Sequence, residues 1–312
     1  MSENLVPIKL IKADGGSQCQ WMDTYEARFT EPFFDNTIAA CRRRGHHGPL
    51  KVSGLNEIEK NGASLNPVAP AVIIFHLSRC GSTLITQMFA TSGRFIVLSE
   101  VPIFDEIFGL PLADEQFDEA SIAGLLSASL NFYGRKRFPD EEHVVLKTDC
   151  WHIFFYHTLR KMFPLVPIVI MYRRPEEVFR SLAQMPGRQV VPQLVNPEIF
   201  GFPGMPEVYQ IDNYTAAIIE KMLEKFLEVA DADKNTLLLN YNEGPVNIIN
   251  NISRFARIHL SDAELAVMRE RAKYHSKKPG EIFERESSSQ SSALLSTAMQ
   301  FYEKLELKRK MS

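Results

Sequence analysis

A short polar loop between an apolar segment and a predicted helix has residue types suited to binding an anion. The residues of this loop are Ser78, Arg79, Cys80, Gly81, Ser82 and Thr83. Successive backbone N–H groups in such a loop, together with the N-terminus of the following helix, can surround a phosphate-like group. Arg79 adds a positive charge. The same residues would also suit a helix start that is merely capped by Ser and Thr.

The loop matches the P-loop of ATP- and GTP-binding proteins poorly. That loop reads G-x-x-x-x-G-K-[ST], and its Lys reaches the β- and γ-phosphates. With the second Gly aligned on Gly81, His76 replaces the first Gly and Ser82 replaces the Lys. A P-loop kinase for a small molecule is therefore an alternative, but this sequence lacks the Lys on which such a kinase depends.

A second cationic motif follows another apolar segment about 90 residues later. Arg173 comes at the end of a predicted strand, and Pro175 suits the first turn of a helix. Ser181 lies two turns further along. An Arg and a Ser together can hold a phosphate, although a surface Arg before a capped helix would look the same.

Taken together, the two motifs resemble those of the PAPS-dependent sulfotransferases, which use 3′-phosphoadenosine-5′-phosphosulfate (PAPS) as sulfuryl donor. Segment 79–83 (R-C-G-S-T) is similar to the family's phosphosulfate loop, commonly R-S-G-[ST]-[ST] or K-S-G-T-T. Segment 173–181 (R-R-P-E-E-V-F-R-S) is similar to its 3′-phosphate motif, commonly R-D-P-x-x-V-x-x-S. The motifs occur in the family's order, and the resemblance covers roughly residues 70–285.

The resemblance implies roles for the matching residues. The loop from Ser78 to Thr83 would bind the 5′-phosphosulfate, and Arg173 with Ser181 would bind the 3′-phosphate. Tyr241 resembles the Tyr of the family's Y-E-D element, which contacts the adenine. The last two candidates, in the position of a late basic loop over the 3′-phosphate, are Lys277 and Lys278.

The sequence also departs from the family pattern. Arg174 replaces the usual Asp, and Cys80 replaces the usual small residue before the Gly. Asn242 and Glu243 follow the Tyr in place of Glu and Asp, and the R-K-G triplet of the late basic loop is missing. These changes leave the two key cations in place.

Sulfuryl transfer also requires a cation near the leaving oxygen and a base for the acceptor proton. Arg79 and Lys147 are the candidate cations. Glu100 and Asp149 end neighbouring strands, and either could be the base. Ser99-Glu100-x-Pro102 resembles the Glu of the tyrosylprotein and bacterial glycolipid branches of the family. Lys147-Thr148-Asp149 resembles the K-T-H of the cytosolic branch, with Asp in place of His. We expect Glu100 to be the base and keep Asp149 as the alternative.

We expect no metal site and no cofactor besides PAPS. The sequence has eight histidines, but His152 and His157 are five residues apart and do not share a helical face. Cys80 is expected to be a small packed residue, with a pKa lowered by the anion-binding loop.

A sheet must position these residues. Five apolar, β-branched segments alternate with helical patterns, which is typical of buried parallel strands in an α/β fold. We therefore predict a P-loop-like three-layer sandwich with a central, mainly parallel sheet flanked by helices. Ligands bind such sheets at the carboxyl ends of the strands, where the candidate residues lie. The predicted strands are 71–75, 95–98, 144–146, 167–172 and 236–240.

The remaining segments complete a single predicted domain spanning 1–312. Residues 1–69 are expected to form an N-terminal extension, and the Pro- and Gly-rich segment 185–210 a lid or acceptor loop. The acceptor pocket is expected to use aromatic residues, most of which would equally suit the core. These aromatic residues are Phe104, Phe108, Phe132, Tyr133, Phe200, Phe202 and Tyr209.

Composition limits the possible partners. A net charge of −3 gives no broad basic field for nucleic acid. Four cysteines without a C-x-x-C pair, no signal-peptide h-region and no long apolar run predict a soluble cytoplasmic protein. The acceptor, bearing a hydroxyl or an amine, is left open as a small molecule, glycan, lipid or peptide, as is the oligomeric state. A protein that binds PAPS or 3′,5′-ADP without turnover is a further alternative.

Overall fold

A computed structural model describes residues 4–13, 16–24, 27–44, 50–191, 193–204, 207, 210–274 and 293–311. The chain begins with a small antiparallel sheet that the sequence did not predict. Its strands, in spatial order, are β1 (Leu5–Ala13), β2 (Gly16–Asp23) and β3 (Lys51–Gly54). Trp21 of this sheet is fully buried and packs edge-on against Phe132, with ring centroids 4.9 Å apart. The predicted N-terminal extension is thus anchored to the body of the protein through its apolar side chains.

The main sheet has five parallel strands, which confirms the predicted fold class. The strands are β4 (Pro70–His76), β5 (Phe95–Ser99), β6 (His143–Lys147), β7 (Ile168–Tyr172) and β8 (Thr236–Asn240). Their spatial order is β5-β6-β4-β7-β8. All five coincide with predicted strands to within a few residues. The four central residues of β4, from Val72 to Phe75, are fully buried, as expected for a strand covered on both faces.

Helices flank the main sheet in two groups, and a further set contacts the N-terminal sheet. The helices are α1 (Phe34–Arg43), α2 (Asn56–Gly62), α3 (Ser82–Phe89), α4 (Pro102–Phe108), α5 (Leu110–Ala113), α6 (Glu119–Tyr133), α7 (Tyr156–Met162), α8 (Pro175–Gln184), α9 (Ile211–Ala232), α10 (Pro245–Phe255), α11 (Asp262–Arg271) and α12 (Ser296–Met311). In one group α3 contacts α10 and α11, and in the other α9 contacts α8 and α12. In the N-terminal sheet, β1 contacts α4 and α6.

The strand order creates a switch point in the main sheet. The chain leaves β4 through α3 towards β5, and it leaves β7 through α8 towards β8 on the other side. Connections that diverge in this way open a crevice at the carboxyl ends of the strands. The loop at 78–81, after β4, and Arg173, after β7, both border this crevice.

Short 3₁₀ segments fill several connections. They are Cys150–Phe155, Arg188–Val190, Pro197–Phe200, Tyr241–Glu243 and Ala293–Leu295. Among the described helices, none has a stretch long and apolar enough to cross a membrane.

Candidate active site

A cavity of about 460 Å³ lies at the carboxyl ends of the parallel strands. It brings together residues that the sequence places on five different connections. The predicted site residues that line it are Ser78, Arg79, Gly81, Ser82, Thr83, Glu100, Asp149, Arg173, Ser181 and Tyr241. Lys277 and Lys278 lie outside the described residues.

The anion-binding loop is shaped by an unusual backbone. Gly81 precedes the first turn of α3 with φ 81°, in the left-handed region that favours glycine. A Cβ atom at Gly81 would lie 2.5 Å from the ring of Tyr241. Arg79 also has a left-handed backbone, with φ 63°, which is strained for a residue with a side chain and is frequent at functional sites. The first N–H groups of α3, which have no acceptor within the helix, begin directly after this loop.

A direct hydrogen bond joins the two sequence motifs. Arg79 Nε donates to Ser181 Oγ at 2.8 Å, and Arg79 Nη1 lies 3.7 Å from Met185 Sδ. The loop after β4 and helix α8 after β7 therefore meet in one cavity. The guanidinium groups of Arg79 and Arg173 both border it.

Arg173 lies on the aromatic ring of Tyr241. Its guanidinium carbon is 4.5 Å from the ring centroid, and its Nη2 donates to Glu177 Oε1 at 2.7 Å. The Nε atom is buried and has no hydrogen-bond partner in the described part of the chain. Tyr241 thus contacts both Gly81 and Arg173, and Arg173 keeps a donor for another group.

Glu100 is held between two basic residues. Its carboxylate accepts a hydrogen bond from Lys147 Nζ and lies 3.4 Å from His76 Nε2. Its backbone is left-handed, with φ 51°. Burial alone raises the pKa of Glu100, but the charge of Lys147 and then the hydrogen bond and charge of His76 outweigh it, so the pKa lies well below its usual range. Glu100 is therefore ionised at neutral pH.

Lys147 lies beneath the anion-binding loop. Its side chain is fully buried, and Nζ is 3.4 Å from Thr83 Oγ1 as well as bonded to Glu100. Lys147 does not line the cavity. It reaches the site through Glu100 and Thr83.

Asp149 has the opposite electrostatic character to Glu100. Its side chain is 4 % exposed, and Oδ1 lies 3.9 Å from Arg188 Nη1. Burial, followed by the negative charges of Glu100 and Asp105, raises the pKa of Asp149 well above its usual range. Two neighbouring carboxyl groups whose pKa values are displaced in opposite directions differ in protonation over the pH range between those two values.

Two predicted details need correction. Burial raises the pKa of the Cys80 thiol to about 11, whereas its place in an anion-binding loop had predicted a lowered pKa. The Cys80 side chain is fully buried, with Sγ 3.4 Å from the Met171 carbonyl oxygen, so only its backbone can contribute to anion binding. The aromatic residues expected at the acceptor pocket belong to the core wherever they are described, and Tyr209 lies outside the described residues. Phe104, Phe108, Phe132, Tyr133 and Phe200 are buried in the core, and Phe202 is partly buried against it.

The cavity also contains residues that the sequence argument did not select as site residues. His76 ends β4, so the rule that selected Glu100 and Arg173 from strand ends would have found it. The others come from segments without a recognisable motif. They are Phe33, Asp35 and Asn36 before or within α1, Cys150 and Trp151 after β6, Met185, Pro186, Gly187, Arg188 and Gln189 of the predicted lid, and Tyr274 after α11. Leu84 of α3, directly after the anion-binding loop, also lines the cavity.

No group of three or more His, Cys, Asp or Glu side chains suited to a metal ion occurs among the described residues. His152 is buried, with Nε2 3.5 Å from Asp105 and 4.0 Å from Asp149.

Comparison with known proteins gives structural similarity only. No family model matches this sequence, and no curated protein is significantly similar to it. The structure is similar to that of a sulfotransferase (STF9) from Mycobacterium avium, with 15% identity over 76% of this chain and 74% of that one and a TM-score of 0.48. For a sulfotransferase (STF1) from Mycobacterium tuberculosis H37Rv the identity is 14% over 69% and 75%, with a TM-score of 0.44. For a sulfotransferase from Alicyclobacillus acidocaldarius it is 14% over 66% and 94%, with a TM-score of 0.39. At this identity, function has to be argued from the site itself.

Proposed function

We propose that this protein transfers a sulfuryl group from PAPS to a hydroxyl group of an acceptor and releases 3′,5′-ADP. The observation that carries the proposal is the continuous contact between the two motifs. Arg79 is hydrogen bonded to Ser181, and the Tyr241 ring contacts both Gly81 and Arg173. One cavity thus offers two cationic positions and an aromatic ring, which suits an adenosine carrying phosphate groups at both ends.

Two features of the donor half fit such a ligand. The buried Nε of Arg173 is a donor without a partner among the described residues, and buried donors of this kind are normally satisfied. The lack of a side chain at Gly81 leaves space that a Cβ atom would take from Tyr241. Arg173 and Ser181 would hold the 3′-phosphate, and the loop with Arg79, Ser82 and Thr83 the 5′-phosphosulfate.

The proposed reaction needs little covalent work from the protein. The acceptor oxygen bonds to sulfur, the bond from sulfur to the bridging phosphate oxygen breaks, and its electron pair leaves with 3′,5′-ADP. Arg79 stabilises the negative charge on that oxygen, and Glu100 takes the acceptor proton.

The environment of Glu100 favours it over Asp149 as the base, because Glu100 is the ionised carboxyl group of the two. Lys147 keeps Glu100 deprotonated, but at the same time lowers its proton affinity. The negatively charged sulfuryl donor, bound beside Thr83, would attract Lys147 and weaken its pair with Glu100. The pKa of Glu100 would then rise towards neutral pH.

Calorimetry tests the donor assignment. The protein is titrated with 3′,5′-ADP, with 5′-AMP, and with ATP plus Mg²⁺. We expect 3′,5′-ADP to bind most tightly, because only it carries the 3′-phosphate on an adenosine with a 5′-phosphate. Tighter binding of ATP with Mg²⁺ would support the kinase alternative, and no binding of 3′,5′-ADP would end the proposal.

Turnover is tested separately. PAPS labelled with sulfur-35 is incubated with the protein and a small-molecule extract of cells, and the products are separated by chromatography. Label in a new product supports a transferase. Tight binding of 3′,5′-ADP without any labelled product would identify a binding protein instead.

A further inference from the structure

One part of the cavity is not used by the proposed donor site. It is formed by Asp149, which follows β6, and by Gly187, Arg188 and Gln189 of the predicted lid, next to Trp151. Glu100 lines the same cavity. If Glu100 takes the acceptor proton, the acceptor lies among these residues.

Two buried polar atoms in this part of the cavity lack a hydrogen-bond partner among the described residues. They are Oδ2 of Asp149 and Nε2 of Gln189. Each residue is 3 % exposed, and the Asp149 atom lies 4.0 Å from His152 Nε2. A buried polar atom without a partner destabilises a fold, so such atoms normally have one. Two such atoms beside one cavity point to a ligand that completes their hydrogen bonds.

The Gln189 side chain and the neighbouring Arg188 are held in place by the residues around them. A Cβ atom on Gly187 would overlap the carboxamide of Gln189 and lie 2.9 Å from its nitrogen, so the Gln189 side chain folds back over Gly187. On the other side, Arg188 donates to Asp105 at 2.8 Å, and its guanidinium carbon is 5.1 Å from the Trp151 ring centroid. Trp151 Nε1 donates to the other oxygen of Asp105 at 2.6 Å.

The charges around these two side chains are largely compensated. Arg188 is paired with Asp105, and Lys147 with Glu100. Burial raises the pKa of Asp149 and so favours its protonated form, and a protonated carboxyl group can both donate and accept a hydrogen bond. Gln189 is a neutral amide. Asp35, which is exposed, adds a carboxyl group that also lines the cavity.

We propose that Asp149 and Gln189 form the acceptor subsite and that the acceptor is a neutral, sugar-like polyol. One hydroxyl group would lie at Glu100 and be sulfated, while neighbouring hydroxyl groups bond to Asp149 and Gln189. Hydroxyl groups both donate and accept, as these two side chains do. A simple phenol has no second hydroxyl group to satisfy them. This assignment rests on the sulfotransferase function proposed above.

The test measures release of 3′,5′-ADP from PAPS in the presence of three kinds of probe. They are neutral methyl glycosides (of glucose, galactose and mannose), phenols such as 4-nitrophenol, and primary amines such as phenethylamine. We expect at least one glycoside to accelerate release, and the phenols and amines to have no effect. Acceleration by phenols or amines alone, or no response to any glycoside, overturns the inference. Calorimetry with 3′,5′-ADP on the same sample shows independently whether the donor site is intact.

Variants of the lid connect the effect to Gln189. Gln189→Leu should lower kcat/KM for the responsive glycoside at least ~10-fold, the effect of losing one buried hydrogen bond and leaving its partner unsatisfied. Its Kd for 3′,5′-ADP should not change. Gly187→Ala should produce a similar loss, because the new methyl group displaces the Gln189 carboxamide while the flexible side chain can move aside without unfolding the protein.

Gln184→Leu is the matched control, because Gln184 is exposed at the end of α8 and does not line the cavity. It should leave kcat/KM unchanged. Equal losses in Gln189→Leu and Gln184→Leu, or a parallel loss of 3′,5′-ADP binding, would contradict a role for Gln189 in acceptor recognition.

Discussion

Replacing Arg173 by Ala should remove the protein's preference for a 3′-phosphate. Arg173 uses Nη2 for its bond to Glu177, while its buried Nε has no partner among the described residues. A bound 3′-phosphate therefore gains about one new charge-assisted hydrogen bond, of about 1.5–3 kcal/mol. Since a tenfold change in affinity corresponds to about 1.4 kcal/mol, Arg173→Ala should weaken 3′,5′-ADP by roughly 10- to 150-fold.

The loss for 5′-AMP should be much smaller. That ligand lacks the 3′-phosphate, so it is affected only through the Tyr241 ring, on which Arg173 now lies. A cation over an aromatic ring contributes about 0.5–1 kcal/mol at partly exposed sites, which corresponds to roughly 2- to 5-fold in affinity. The ratio of the two dissociation constants is therefore the quantity to measure.

Calorimetric titration of both ligands, at one fixed salt concentration, gives this ratio for each protein. Arg174→Ala is the control, because Arg174 is largely exposed, is paired with Glu176 and does not line the cavity. Arg173→Lys should lose part of the preference, because Lys keeps the charge but not the planar donors. If Arg173→Ala weakens 3′,5′-ADP and 5′-AMP by the same factor, Arg173 does not contact the 3′-phosphate and the donor assignment is wrong.

Three further changes test other parts of the site. Glu100→Gln should lower single-turnover rates by about 10²–10⁴-fold with little change in the Kd of 3′,5′-ADP; an unchanged rate would leave Asp149 as the candidate base. The Asp149→Asn variant should lose less stability than the wild-type protein as the pH rises. The folded state holds the Asp149 proton more tightly than the unfolded state, so the wild-type free energy of unfolding decreases as pH rises above the usual carboxyl range. Urea titrations between about pH 5 and 8 measure this slope, and equal slopes for both proteins would show that Asp149 does not titrate as described. Gly81→Ala should weaken 3′,5′-ADP at least ~10-fold, because Ala in a left-handed conformation costs about 1–2 kcal/mol and its methyl group displaces Tyr241. Gly204→Ala, where a methyl group would meet open space, should bind normally, and a normal Kd for both variants would remove Tyr241 from the donor site.

The main sheet could be predicted from sequence because its strands are buried on both faces. The strand Ile168–Tyr172, for example, is apolar throughout and fully buried. Its continuous run of β-branched and apolar residues therefore identifies it even when the neighbouring strands are not known. The candidate residues after β4 and β7 were predicted for a related reason. The chain must end each parallel strand at the same edge, and polar residues at those ends are brought together by the topology.

The N-terminal sheet could not be predicted in the same way. Its strands mix buried with partly or fully exposed residues without a regular pattern, as in β2, where Trp21 is fully buried while Gly16 is exposed. Such strands are stabilised by contacts far away in sequence, here with α6. The same applies to Gln189 and Arg188, whose role depends on where an irregular segment folds back over the cavity. The pKa values of Glu100 and Asp149 likewise depend on burial and on neighbours, which sequence spacing does not specify.

The left-handed backbone at Arg79 affects how this position can evolve. Glycine adopts φ 63° without strain, so a glycine at this position would relieve roughly 1–2 kcal/mol of backbone strain. It would also remove the guanidinium group and its bond to Ser181. Selection for a more durable fold and selection for a working anion site therefore act in opposite directions on this single codon.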